Sequence, residues 1–136
     1  MRTTRAALAA AAGAVALLGL CVTPAAADPP QPPRHITGKV IPGGADGRPH
    51  ELFCPAPFHA YSGGFTLKAR KGARFLKEAA DLLESRPNDT ATGWIVTVRK
   101  GQVLPSPHHH RAHPRIEPAD LVVHVVCTQD LPTHGM

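Results

Sequence analysis

Only two cysteines, Cys54 and Cys127, lie outside the apolar N-terminal stretch of this 136-residue chain. That fact constrains the fold more than any other. In an oxidising compartment an even cysteine count reads as a disulfide, and two cysteines allow one connectivity. The closed loop spans most of the remaining chain, so the bridge is expected to stabilise it by on the order of 4 kcal/mol through lost loop freedom. Net domain stability is typically only about 5–15 kcal/mol. The alternative is a pair of free or reactive thiols. A covalent brace suits a chain whose aromatic residues are only Phe53, Phe58, Tyr61, Phe65, Phe75 and Trp94, because a small domain with few large side chains buries little surface.

The oxidising compartment is itself an expectation, drawn from residues 1–27. Arg2 and Arg5 give a positive start, residues 6–22 are an apolar run of small residues and leucines, and Thr23-Pro24-Ala25-Ala26-Ala27 offers a small-residue cleavage site. This is the pattern of a secretory signal peptide, with cleavage expected between Ala27 and Asp28. A retained membrane anchor is the first rival, but the run is short for a span and rich in alanine. A lipoprotein signal is the second, but bulky Leu20 precedes Cys21. The expected product is a secreted, extracellular monomer with no membrane span. Removing Arg2 and Arg5 takes the net charge from +5 to +3, too mild to point to specific nucleic-acid binding.

Residues 28–49 read as a flexible Pro/Gly-rich N-terminal segment, residues 50–130 as the folded domain, and residues 131–136 as a tail. Pro29, Pro30, Pro32 and Pro33 favour extended, solvated chain. Residues 36–41 are a candidate short first strand, before a breaker run over 42–49. Ser62-Gly63-Gly64 interrupts an apolar stretch where glycines suit a bulge or a close backbone approach. Residues 94–99 form the clearest strand, with Trp94, Val96 and Val98 on one face. Residues 101–119, with four prolines, read as loop. Residues 121–128 form the last strand; Leu121, Val123, Val125 and Cys127 share one face, and apolar residues on both faces suggest an interior position. The segment 73–83 is ambiguous. Its apolar residues at 75, 76, 79, 80, 82 and 83 and its propensities favour a helix.

Taken in order, Cys54-Pro55, Ser62-Gly63-Gly64-Phe65, Leu83-Glu84-Ser85-Arg86-Pro87, Gly93-Trp94-Ile95-Val96 and the run from Val122 to Cys127 form a pattern. Over roughly residues 50–129 it resembles a widespread group of small secreted proteins of actinobacteria, of streptomycete type. The resemblance implies an all-β, antiparallel, sandwich-like domain whose first and last strands are tied by the disulfide. It also implies a strand rather than a helix over residues 81–85, and no particular activity. The basic insertion at 68–77 and the His-rich stretch at 106–113 look like additions to that plan.

Those two stretches are the features with chemical potential. His108, His109, His110 and His113 place four imidazoles within six residues, a composition that suits zinc, copper or nickel. The spacing is not that of a closed structural zinc site, and Arg111 opposes a cation. Lys68, Arg70, Lys71, Arg74 and Lys77 form a cluster suited to anionic envelope polymers or acidic lipid surfaces; its bland alternative is a solvated face. Ser62, His59 and Asp81 can be named as a nucleophile and partners, but Ser62 lacks the glycine-flanked elbow, and no catalytic residue is assigned. Glu78, Asp81 and Glu84 fit surface ion pairs, and Asn88-Asp89-Thr90 is a glycosylation sequon. The expected function is therefore a non-enzymatic extracellular binding or structural module, whose partner is an extracellular protein or a cell-envelope polymer. Extracellular metal binding through the histidines and secreted enzyme inhibition are the alternatives.

Overall fold

The structure, a computed structural model, describes residue 29 and residues 31–105 and 114–129. Residues 1–27, expected to be a signal peptide, the expected tail 131–136 and the histidines His108, His109, His110 and His113 lie outside the described residues. Nine strands follow in order: β1 (Arg34–Thr37), β2 (Asp46–Phe53), β3 (His59–Lys68), β4 (Arg74–Phe75), β5 (Asp81–Pro87), β6 (Gly93–Arg99), β7 (Gly101–Leu104), β8 (Arg115–Pro118) and β9 (Asp120–Thr128). They form three antiparallel sheets, ordered β1-β9-β3, β2-β6-β5 and β4-β7-β8.

The first two sheets pack face to face. Leu121, Val123, Val125 and Cys127 all point inward from β9 and are buried, as their alternation requires. From the opposing sheet, Val96 and Val98 of β6 join Leu121, Val123, Ala45 and Ala119 in one cluster, with Leu52, Phe65 and Trp94 at its margin. A second cluster of Phe58, Ala60, Val125 and Cys127 continues the core toward the other end. The fold is thus the all-β sandwich expected from sequence.

The third sheet grows out of the first two. β6 runs on into β7 through Lys100, and β8 runs into β9 through Ala119. At this corner the Ala119 amide donates to the Lys100 carbonyl at 2.8 Å, and the Lys100 amide donates to the Ala45 carbonyl at 3.0 Å. Central strands that continue past the sandwich in this way turn its corner. Cys54 directly follows β2 and bonds Cys127 across 73 residues of sequence. Because β9 runs from the Ala119 corner toward Cys127, the disulfide and the third sheet sit at opposite ends of the molecule.

Two expectations are corrected, and the question left open over residues 73–83 is decided. The segment 73–83 is not helical: β4 pairs with β7, and residues 81–87 form β5 against β6. Lys100 Nζ donates to the Leu76 carbonyl at 2.8 Å and to the Glu78 carbonyl. An extended chain presents those carbonyls sideways to an ammonium, whereas a helix turns them along its own axis. Residues 34–49, expected to lie in a flexible segment outside the domain, carry β1 and the first half of β2. Residues 101–119, read as loop, contain β7 and β8.

Candidate functional site

Sheet β4-β7-β8 is where the chemistry-bearing stretches converge. Arg74 and Phe75 pair with Val103 and Gln102 of β7, and Leu104 of β7 pairs with Arg115 of β8. Residues 105–114 therefore join two strand ends that lie directly opposite each other. A Cβ built on Gly72 meets Pro105 Cγ at 3.4 Å, so the turn at Lys71–Gly72 touches the root of the His-rich connection. The basic cluster and the histidine-bearing segment thus attach to the same end of one sheet.

Gln102 anchors this sheet to the body. Its side chain is fully buried; Oε1 accepts from the Arg70 amide at 2.8 Å and Nε2 donates to the Pro118 carbonyl at 2.9 Å. A buried amide with both ends satisfied fixes position rather than costing stability. Arg70 is a second anchor. Its Nη1 donates to Glu117 Oε2 at 2.6 Å and its Nε to Asp120 Oδ1 at 3.2 Å. Hydrogen bonding to Asp120, with the charges of Asp120 and Glu117, outweighs lost hydration and lifts the Arg70 guanidinium above its ordinary value. Arg115 also pairs with Glu117. One member of the basic cluster is thereby spent on structure.

The others are not. Among the described residues Lys71, Arg74 and Lys77 make no ion pair, although Glu78 borders Lys77. Arg74, Phe75, Leu76, Lys77, Glu78 and Val103 line an open cleft of about 600 Å³. Phe75 is 41% exposed; the register puts it on the face of Gln102 and Arg74 on the other, so ring and cations meet at the cleft along the β4 edge. The carboxylates elsewhere are mostly engaged. Asp46 accepts from the Arg48 amide at 2.9 Å, Glu51 from Asn88 Nδ2 at 2.6 Å, and Glu84 from Arg86 Nε at 2.6 Å. Asp89 accepts from Arg86 Nη1 at 3.2 Å.

The remaining sequence candidates are dispersed. Ser62 lies opposite Val126 in the β1-β9-β3 sheet, while Asp81 lies opposite Arg99 in the other layer. Among the described residues no hydrogen bond joins Ser62, His59 and Asp81. The Asn88 amide is engaged inside its turn, donating to Glu51 and to Thr92 Oγ1 at 3.1 Å, and Asn88 Oδ1 accepts from the Thr92 amide at 2.8 Å. Sequence reading passed over a pair on the outer sandwich face. His124 stacks on His35 with ring centroids 5.4 Å apart. Its two ring nitrogens meet Thr37 Oγ1 at 3.2 Å and Thr66 Oγ1 at 2.8 Å. No group of three or more His, Cys, Asp or Glu side chains that could hold a metal occurs among the described residues. Nor is any helix among them long and apolar enough to cross a membrane. No family model, curated protein or solved structure matches this chain.

Proposed function

We propose that this chain is a non-enzymatic extracellular binding module that docks an anionic cell-envelope polymer on the β4-β7-β8 sheet. The observation that carries this reading is the charge pattern at that sheet: among the described residues Lys71, Arg74 and Lys77 have no carboxylate partner near exposed Phe75, while Arg70 and Arg115 are paired. Cations left over along one sheet edge attract a polyanion, and an aromatic ring lining the same cleft adds contact area. The disulfide and the signal-like N-terminus support an extracellular setting.

Binding of the purified chain to poly(glycerol phosphate) or dextran sulfate, followed by calorimetry, tests this. Each exposed cation contributes roughly 0.2–1 kcal/mol, so replacing Lys71, Arg74 and Lys77 together by alanine is expected to weaken binding by about threefold to a hundredfold. Wild-type affinity is expected to fall as salt rises. Unchanged affinity in the triple variant, or affinity indifferent to salt, would refute the reading.

A second reading is favoured by the pairing of Leu104 with Arg115. The four imidazoles fall within the ten residues of sequence between those paired positions, enough donors for one ion. We expect the untagged chain to take up Zn²⁺ or Cu²⁺ in a titration and to release protons as it does so. The same titration on a variant with all four histidines replaced by alanine should show the binding gone; retained affinity would dismiss a metal role for this segment.

A further inference from the structure

The corner where β6 meets β7 carries a cation that the polymer-binding surface does not use. A cleft of about 360 Å³ opens there, within the size range of small-molecule sites. Its apolar wall is Ala45, Leu76, Ile116 and Pro118. Three of the charged groups around it are engaged. Asp46 accepts from the Arg48 amide, Glu117 from Arg70 and Arg115, and Lys100 Nζ faces the Leu76 and Glu78 carbonyls.

Arg99 is different. Among the described residues its guanidinium has no acceptor, although Asp46 and Asp81 lie opposite it on either side in the strand register. The group rests instead on the backbone at Gly47. A Cβ placed there would stand 3.1 Å from Nη2 and 3.2 Å from Nε, and Gly47 has φ +84°. The positive φ and the close approach both call for glycine. The chain thus shelves a guanidinium at the mouth of an apolar cleft and leaves its hydrogen-bonding edge without a carboxylate.

We propose that this cleft binds a small amphiphilic anion: one carboxylate on a short aliphatic group. The carboxylate meets the Arg99 fork, and the aliphatic part lies against Leu76 and Ile116. Charge sets the limit to a single anionic group. Glu78 and Asp81 line the adjoining pocket of about 220 Å³ that shares Leu76, Arg99, Lys100 and Gly101, so a dianion or a polyanion meets repulsion on that side. The site borders the polymer surface and shares Leu76 and Glu78 with its cleft, but Arg99 and Ile116 do not line that cleft.

The test titrates the full chain with hexanoate, acetate and hexylamine, following amide chemical shifts at Arg99, Gly101 and Ile116. Hexanoate is expected to bind at these positions, acetate at least tenfold more weakly, and hexylamine not at all. Arg99→Ala should lower hexanoate affinity about tenfold or more, and Ile116→Ser should lower it while keeping the preference for the anion. The Lys71, Arg74 and Lys77 triple alanine variant should bind hexanoate like the wild type, so loss of polymer binding and loss of this site read out separately. Equal binding of acetate and hexanoate, binding of hexylamine, or hexanoate affinity unmoved by Arg99→Ala would overturn the proposal.

Discussion

Replacing both cysteines by alanine is expected to lower the unfolding free energy by on the order of 4 kcal/mol, the largest effect any change to this chain should have. The closed loop has a sequence separation of 73, so cutting it returns a large share of chain freedom to the unfolded state. Position adds to the effect. β2 edges one sheet and β9 is the centre of the other, so the bond ties the two layers together at the end remote from the third sheet. The core it supports is light: its largest fully buried side chains are Leu121, Gln102 and valines, with Cys127 among them. Urea unfolding of wild type and the double variant measures the loss as a fall in midpoint. A melting temperature lowered by roughly 15–30 °C is the thermal counterpart. Equal midpoints would show that packing alone holds the layers, and two titratable thiols in the unreduced wild type would remove the bond from the account altogether.

The sandwich was legible wherever its signal is local. Alternating β-branched residues placed the strands at 94–99 and 121–128 within a residue of β6 and β9, and the inward face of β9 follows from period two alone. What stayed hidden depends on distant partners. Residues 75–83 have helical propensity, but β5 takes its conformation from β6, and Lys100 holds the carbonyls ahead of it. Pro49 disguised β2, yet β2 is an edge strand with a register shift between Asp46 and Pro49, where a missing donor is tolerated. The strands β7 and β8 are four residues each and lie among prolines, too short to show a period. The candidate surface was half visible. Five cations in ten residues can be counted from sequence, but the neutralisation of Arg70 depends on Glu117 and Asp120, 47 and 50 residues away. The free guanidinium of Arg99 left no signal, since its surroundings come from Gly47 and the β6–β7 corner.

Gly63→Ala is expected to destabilise the chain by roughly 2–3 kcal/mol, whereas the same change at its neighbour Gly64 should be close to neutral. Gly63 faces inward from β3, and a Cβ there would stand 2.3 Å from Trp94 Cγ and 2.5 Å from Cδ1 and Cδ2. These are atoms at the root of the indole, which cannot swing aside as a flexible chain end does. Trp94 is also pinned: its Nε1 donates to Ser85 Oγ at 3.1 Å, and the ring packs against both core clusters, including the one that holds Cys127. Either the ring leaves its place or the two sheets part, and both lose packing on the inner faces of β3 and β6. Gly64 looks outward, with nothing within 4 Å of a built Cβ, so alanine there meets open space and restricts the unfolded chain slightly. A double-mutant cycle separates the contact from any backbone effect. In a Trp94→Leu background the cost of Gly63→Ala should shrink by 1 kcal/mol or more, because the group it collides with is gone. Equal costs at 63 and 64, or a cost at 63 that persists without the indole, would mean that the glycine serves the strand's conformation rather than the closeness of the two sheets.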